Sequence, residues 1–153
     1  MIQTWYHGTR AETAKLILSK GVDTEAPKTS DPGDFGWGFY LTKRWARAKA
    51  YGEVVLSVGI DPGGLAYIAN PYFFKGFKVT KPKTMEEHLF HQIAFAPDGS
   101  MKTVTGDRRE RVKVSRAIRE AFLSAGYLGI LSDYDGGEVV LFDDAAAIRV
   151  WED

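Results

Sequence analysis

The chain has 153 residues, 44% of them hydrophobic and 26% charged, which suits a single globular domain over 1–153 and excludes disordered or collagen-like chains. Its 20 Lys and Arg balance 20 Asp and Glu, so it lacks the broad positive field most duplex-binding domains use. No cysteine is present, which removes disulfides, thiolate nucleophiles and Cys-ligated metals. No stretch approaches the roughly 18 consecutive apolar residues of a spanning helix. Met1–His7 shows no charged start followed by an apolar run, so the expectation is no membrane association and a cytoplasmic location. A signal read by a specialised secretion route, delivering the protein into a target cell, would escape that test.

Residues 2–7 alternate as a strand does and Gly8 closes the run. Residues 11–20 read as a helix with Ala14, Ile17 and Leu18 on one face, and Gly21 suits its C-terminal cap. Residues 22–38 carry Pro27, Pro32, Gly33, Gly36 and Gly38 and predict a long loop. A short strand at 39–41 precedes a helix over 43–51, with Thr42 as N-cap and Lys43, Arg44, Arg47 and Lys49 along it. Residues 53–60 form a strand rich in β-branched residues, ended by Asp61-Pro62-Gly63-Gly64.

Residues 61–107 are the least legible, with only Met85, Leu89 and Ile93 suggesting a short amphipathic helix. From 108 to 125 the stripe Val114, Ile118, Ala121, Phe122 and Ala125 predicts a helix. Strands at 128–131, 138–142 and 148–151 close the chain, the turn Asp135-Gly136-Gly137 preceding the second. Strands and helices without regular βαβ alternation favour an α+β fold.

Few side-chain patterns carry chemistry. No nucleophile elbow or phosphate loop occurs, and Gly33, Gly36 and Gly38 do not fit a dinucleotide fingerprint. His88 and His91 stand at i, i+3 with Glu86 and Glu87 nearby, a spacing a metal could use, but no third ligand has a motif. The simpler reading is two histidines on a partly exposed helix.

The combination Tyr6-His7-Gly8-Thr9, then Gly33-Asp34-Phe35-Gly36-Trp37-Gly38-Phe39-Tyr40-Leu41-Thr42, then Ala50-Tyr51, and finally Gly137-Glu138 leading into Val139–Phe142, spans the chain. It resembles the His–Tyr–Glu branch of the ADP-ribosyltransferases, shared by diphtheria-type toxins and poly(ADP-ribose) polymerases, and within it small bacterial and phage-associated domains. The resemblance implies a split two-sheet β core with flanking helices and an NAD cleft. It implies NAD as co-substrate, no metal, and transfer of ADP-ribose to an acceptor with release of nicotinamide. His7, Tyr40 and Glu138 would be the catalytic set. His7, Gly8, Thr9, Tyr40 and Tyr51 would bind NAD: His7 on the adenosine ribose, the Gly8 backbone on the carboxamide, and the two tyrosines around the nicotinamide ring. Glu138 would accept from the ribose 2′-hydroxyl, with Asp133 and Asp135 as competitors for that role.

The sequence departs from the family at two positions. Ala48 replaces the serine that polymerase-type members place before the second tyrosine, and Gly136 replaces the acidic or amide residue of arginine-modifying members. The second departure argues against arginine as acceptor. The resemblance extends to a toxin or effector role and leaves an antitoxin or immunity partner open. The acidic turn 132–137, with Tyr134 expected to be exposed, favours a protein acceptor over nucleic acid, while the basic helix 43–51 is the feature on the other side. An NAD glycohydrolase, a module that only binds NAD or ADP-ribose, and a metal-dependent hydrolase built on His88 and His91 are the competing classes.

Overall fold

The computed structural model of the chain describes residues 1–26, 28, 31–71 and 81–152. It is a mixed α+β structure. The elements are β1 (Gln3–Thr9), α1 (Ala11–Lys20), β2 (Phe39–Thr42), α2 (Trp45–Tyr51), β3 (Val54–Ile60) and β4 (Leu65–Tyr67). They continue with α3 (Met85–Ala94), α4 (Lys102–Thr105), α5 (Arg108–Ser124), β5 (Gly129–Ser132), β6 (Glu138–Leu141) and β7 (Arg149–Glu152). Within the expected loop over 22–38, Pro27, Thr29 and Ser30 lie outside the described residues, as do residues 72–80 of the illegible middle. Among the described residues no helix is long and apolar enough to cross a membrane.

The strands form one seven-stranded sheet in the order β4-β5-β6-β2-β1-β3-β7, parallel only between β4 and β5. Two sheets were the expectation; one sheet with a weak seam is found. β1 pairs with β3 along its whole length, Gln3 opposite Ile60 through Thr9 opposite Val54. Its pairing with β2 is the single register pair Tyr6–Thr42. Beyond that point β1 and β2 part.

Both faces of the sheet are covered, which is why β6 reads as an unbroken apolar run rather than an alternation. Val139 and Leu141 join one core cluster with Trp5, Ile17, Leu41, Leu56 and Val58, under α1. Val140 and Phe142 join the other with Phe35, Phe90, Ile118, Phe122 and Ile130, under α3 and α5.

Several boundaries differ from the sequence reading. Thr42 does not cap α2: it ends β2, and its hydroxyl accepts from the Arg44 N–H at 3.1 Å. Extended backbone at Arg44 (φ −98°, ψ 112°) delays the helix to Trp45. In α1 the buried residues are Ala14 and Ile17, whereas Leu18 is exposed. In α3, Glu87, Phe90 and Ala94 are buried; of the expected stripe, Leu89 and Ile93 pack half-buried against the same core, and Met85 is 83% exposed. Glu87 is buried because its carboxylate accepts from the Ala69 and Lys83 N–H groups, both at 2.9 Å. It ties the two ends of the intervening segment together. β4 and α4 were not foreseen.

α2 lies close against β1. A Cβ on Gly8 would come 1.6 Å from the Ala48 carbonyl oxygen, so glycine there is a condition of helix–strand contact.

Candidate functional site

Where β1 and β2 part, a cavity of about 600 Å³ opens, and His7, Gly8, Thr9, Tyr40, Tyr51 and Glu138 all line it. The sheet register brings together the strands that carry the first and last of these. Thr42 on β2 is opposite both Tyr6 on β1 and Glu138 on β6, so the three strands converge in one row. Tyr40 and Thr42, two residues apart, share a sheet face, as do their partners Val140 and Glu138.

His7 bridges the seam. Its Nδ1 lies 2.8 Å from the Tyr40 carbonyl oxygen. A carbonyl only accepts, so Nδ1 carries the proton and Nε2 is left as an acceptor. Burial pushes the imidazole pKa below its usual value, with the nearby Lys28 adding to that, so the ring is neutral at pH 7. It also stacks on Phe39, ring centroids 4.1 Å apart. Neutral and fixed in one tautomer, His7 is equipped to accept from a hydroxyl.

Tyr40 is held by both functions of its hydroxyl. It donates to the Gly36 carbonyl at 2.6 Å and accepts from the Phe35 N–H at 3.1 Å. Burial, then the charges of Glu138 and Asp34, push its pKa well above the usual range, so it remains a neutral phenol. Gly33 lies against its ring: a Cβ there would come 2.2 Å from the hydroxyl oxygen, and its φ of +104° is one that glycine adopts freely. Tyr40→Phe should keep the ring face but strand a backbone N–H, costing about 1–3 kcal/mol in chemical denaturation. Ligand stacking should change little, whereas Tyr40→Ala should lose it.

Tyr51, the last residue of α2, is 65% exposed, with the Arg47 guanidinium 5.6 Å from its ring centroid. It stands at the cavity rim rather than in the core.

Glu138 is half-buried at the start of β6. Burial raises its pKa from the ordinary 4.5 to about 7; Arg47 opposes the shift and Asp34 adds to it. The competitors expected from sequence are engaged elsewhere. Asp135 is bound by the guanidinium groups of Arg44, at 3.2 Å, and Arg47. Asp133 is exposed and accepts from the Asn70 N–H at 2.6 Å. Asp135 also has φ 50°, ψ 43°, an uncommon left-handed conformation outside glycine, and the two arginines hold it there.

Tyr134 is not the exposed aromatic expected. It is half-buried, lines the cavity, and its ring tilts against Phe35 at 6.1 Å.

Sequence reasoning gave no role to three charged cavity residues, Lys28, Asp31 and Asp34, and saw Arg47 only as part of the basic helix. Asp34 is pushed up to about 6 by burial, then by Asp31. It stood in the quoted motif, yet only the glycines and Tyr40 around it drew attention. Lys28 and Asp31 sit in the irregular loop, where no periodicity marks which side chains turn inward. His88 is exposed and His91 stacks on Phe95, centroids 4.6 Å apart. Among the described residues no group of three or more His, Asp or Glu is placed to hold a metal ion.

No protein-family model and no curated protein sequence matches the chain. Among solved structures it is similar to an anti-CRISPR protein at 14% identity, with a TM-score of 0.42, over 94% of this chain and 92% of that one.

Proposed function

We propose that the chain transfers ADP-ribose from NAD to an acceptor and releases nicotinamide. The observation that carries this reading is the convergence of His7, Gly8, Thr9, Tyr40, Tyr51 and Glu138 on one cavity at the seam between β1 and β2. Those residues come from four separate parts of the chain, and a set chosen for structural reasons alone has no cause to meet. The single register pair at the seam supports the split-core reading of the sheet, with the cavity as the NAD cleft.

In this reading the bond between the nicotinamide nitrogen and ribose C1′ breaks with its electron pair leaving on the ring. A bond then forms from C1′ to the acceptor, whose proton is lost. Positive charge develops on the ribose as the first bond breaks, and an ionised Glu138 beside the 2′-hydroxyl lowers its energy. Tyr40 stacks on the nicotinamide and Tyr51 closes over it from the rim. Aromatic pairs of this kind contribute about 0.5–1.5 kcal/mol beyond area burial. The bare Nε2 of His7 accepts from a ribose hydroxyl.

A protein acceptor is the reading favoured by the charges around the cavity. Every basic residue of the expected phosphate track is already engaged. Arg44 and Arg47 bind Asp135, the Lys43 ammonium donates to the Thr4 carbonyl at 3.3 Å, and that of Lys49 donates to the Glu53 carbonyl at 2.6 Å. Incubation with adenylate-labelled NAD and a nuclease-treated lysate is expected to label protein and release free nicotinamide. Release of nicotinamide without transferred label would make the protein a glycohydrolase; no release at all would make it a binding module. Label that survives protease but not nuclease would overturn the acceptor and leave the enzyme class standing.

A further inference from the structure

A second cavity, of about 590 Å³, adjoins the first. Its wall is largely apolar, with Leu16, Ile17, Val22 and Phe39 contributed by α1, β2 and the chain between them. Three residues line both cavities: His7, Lys28 and Tyr40. They therefore stand at the neck where the two meet.

Lys28 is the cation at that neck. Its ammonium lies 5.2 Å from the Tyr40 ring centroid and 5.8 Å from that of Trp37. Among the described residues no carboxylate lies within ion-pair distance of it. Burial lowers its pKa and the field of Asp31 partly restores it, so the charge is held in a partly dry setting. Aromatic faces offset part of that cost, but an anion would offset more, since a lysine is seldom buried without a partner.

Three acids, Asp31, Asp34 and Glu138, also line the first cavity, and the remaining charges nearby are engaged. Arg47 in the first cavity is bound to Asp135. In the second, Asp144 accepts from the Thr24 N–H at 2.8 Å, Asp23 from the Glu25 N–H at 3.0 Å, and Lys20 is exposed at the end of α1.

We propose that Lys28 is the anion-binding residue of this site and takes the diphosphate that joins the two halves of the dinucleotide. The inference depends on the reading above that the first cavity holds the nicotinamide riboside half. A ligand with one half in each cavity must pass its linker through the neck, where the ammonium waits. Moving from the Tyr40 ring to the phosphates also clears that ring for stacking, so one displacement serves both contacts.

The test is equilibrium binding of NAD, ADP-ribose, adenosine and nicotinamide to the wild-type chain, Lys28→Met and Lys28→Arg, with thermal unfolding of each. Lys28→Met keeps the apolar stem and should weaken NAD and ADP-ribose about tenfold or more, with adenosine and nicotinamide changed less than about twofold. Lys28→Arg should recover most of the loss. The wild-type affinity for ADP-ribose should fall with added salt, and that of the Met variant less so. Unchanged ADP-ribose affinity in Lys28→Met overturns the proposal, as does equal weakening of all four ligands. If the wild type releases nicotinamide from NAD at a rate Lys28→Met matches, with matching NAD affinity, only the role of Lys28 fails. If the wild type binds neither NAD nor ADP-ribose, the functional reading and this inference fall together.

Discussion

Replacing Glu138 with Gln is expected to lower nicotinamide release from NAD by about a hundredfold to a thousandfold, with NAD affinity kept within a few-fold. The amide preserves shape and one acceptor oxygen, and loses the charge that, in the proposed reaction, acts as C1′ becomes positive. An interaction made only in the transition state is read in turnover, not in binding. In that proposal the same carboxyl sets the pH profile. Its pKa of about 7 means that wild-type turnover should fall about tenfold per pH unit below that value and level off above it. The stability consequence runs the other way. A carboxyl whose folded pKa is raised above 4.5 binds its proton more tightly in the native state, so the fold loses stability as pH rises from 4.5 towards 7. Glu138→Gln escapes that loss. It should be more stable than wild type near pH 8, by about 1–3 kcal/mol in denaturant unfolding, and show no such advantage near pH 4. Retained turnover in the variant would remove Glu138 from the reaction and bring Asp34, the other acid of the cavity with a raised pKa, into question.

The second large effect is expected at a residue that lines neither of the two cavities described. Arg119 on α5 is 6% exposed, and its guanidinium donates to the Thr24 carbonyl at 2.9 Å, the Trp37 carbonyl at 3.0 Å and the Thr24 hydroxyl at 3.0 Å. It reaches Glu25 as well, at 3.4 Å. One turn earlier the Ser115 hydroxyl lies 3.0 Å from the Pro32 carbonyl oxygen and 3.2 Å from that of Gly33, and the Ser115 carbonyl accepts from Trp37 N–H at 3.0 Å. Together they seat the irregular segment that ends in Tyr40. Arg119→Met strands buried carbonyls and should cost about 3 kcal/mol or more in denaturant unfolding. NAD binding should fall with it, because Gly33, Asp34 and Tyr40 lose their support. Arg116→Met is the control. Arg116 is exposed and stacks on Trp37 at 4.3 Å, so its loss should cost under about 1 kcal/mol. Equal effects from the two substitutions would mean that α5 does not hold the loop through Arg119.

The contrast between these residues shows what a single sequence makes legible. Val114, Ile118 and Phe122 follow helical spacing, and all are buried. Ser115 and Arg119 share the buried face, yet spacing marks them as solvated because their partners are backbone carbonyls some 80 residues away. β6 was visible because both its faces are apolar. β4 is three residues long, and only its parallel pairing with β5 makes it a strand. The six residues that meet at the cavity were singled out by the resemblance and not by periodicity. Lys28 had neither pattern nor precedent to mark it, and Asp34 stood in the quoted motif with no role assigned to it. Gly8 was singled out for its closeness to a ligand, whereas the contact its missing side chain permits inside the protein is with Ala48.

The seam has a mechanical consequence. A sheet bonded throughout shears as one plate, but here β4-β5-β6-β2 and β1-β3-β7 meet within the sheet at one register pair, with the His7 imidazole, the Lys43–Thr4 hydrogen bond and the core under α1 also spanning the seam. The Nδ1 proton that makes the imidazole bond is present whether or not His7 is charged, so acid does not undo the coupling. Compliance is concentrated along a line that passes through the cavity. Any molecule that touches His7 on one plate and Glu138 on the other becomes a cross-link between them, and should slow amide exchange in β1 and β2 far more than in β5.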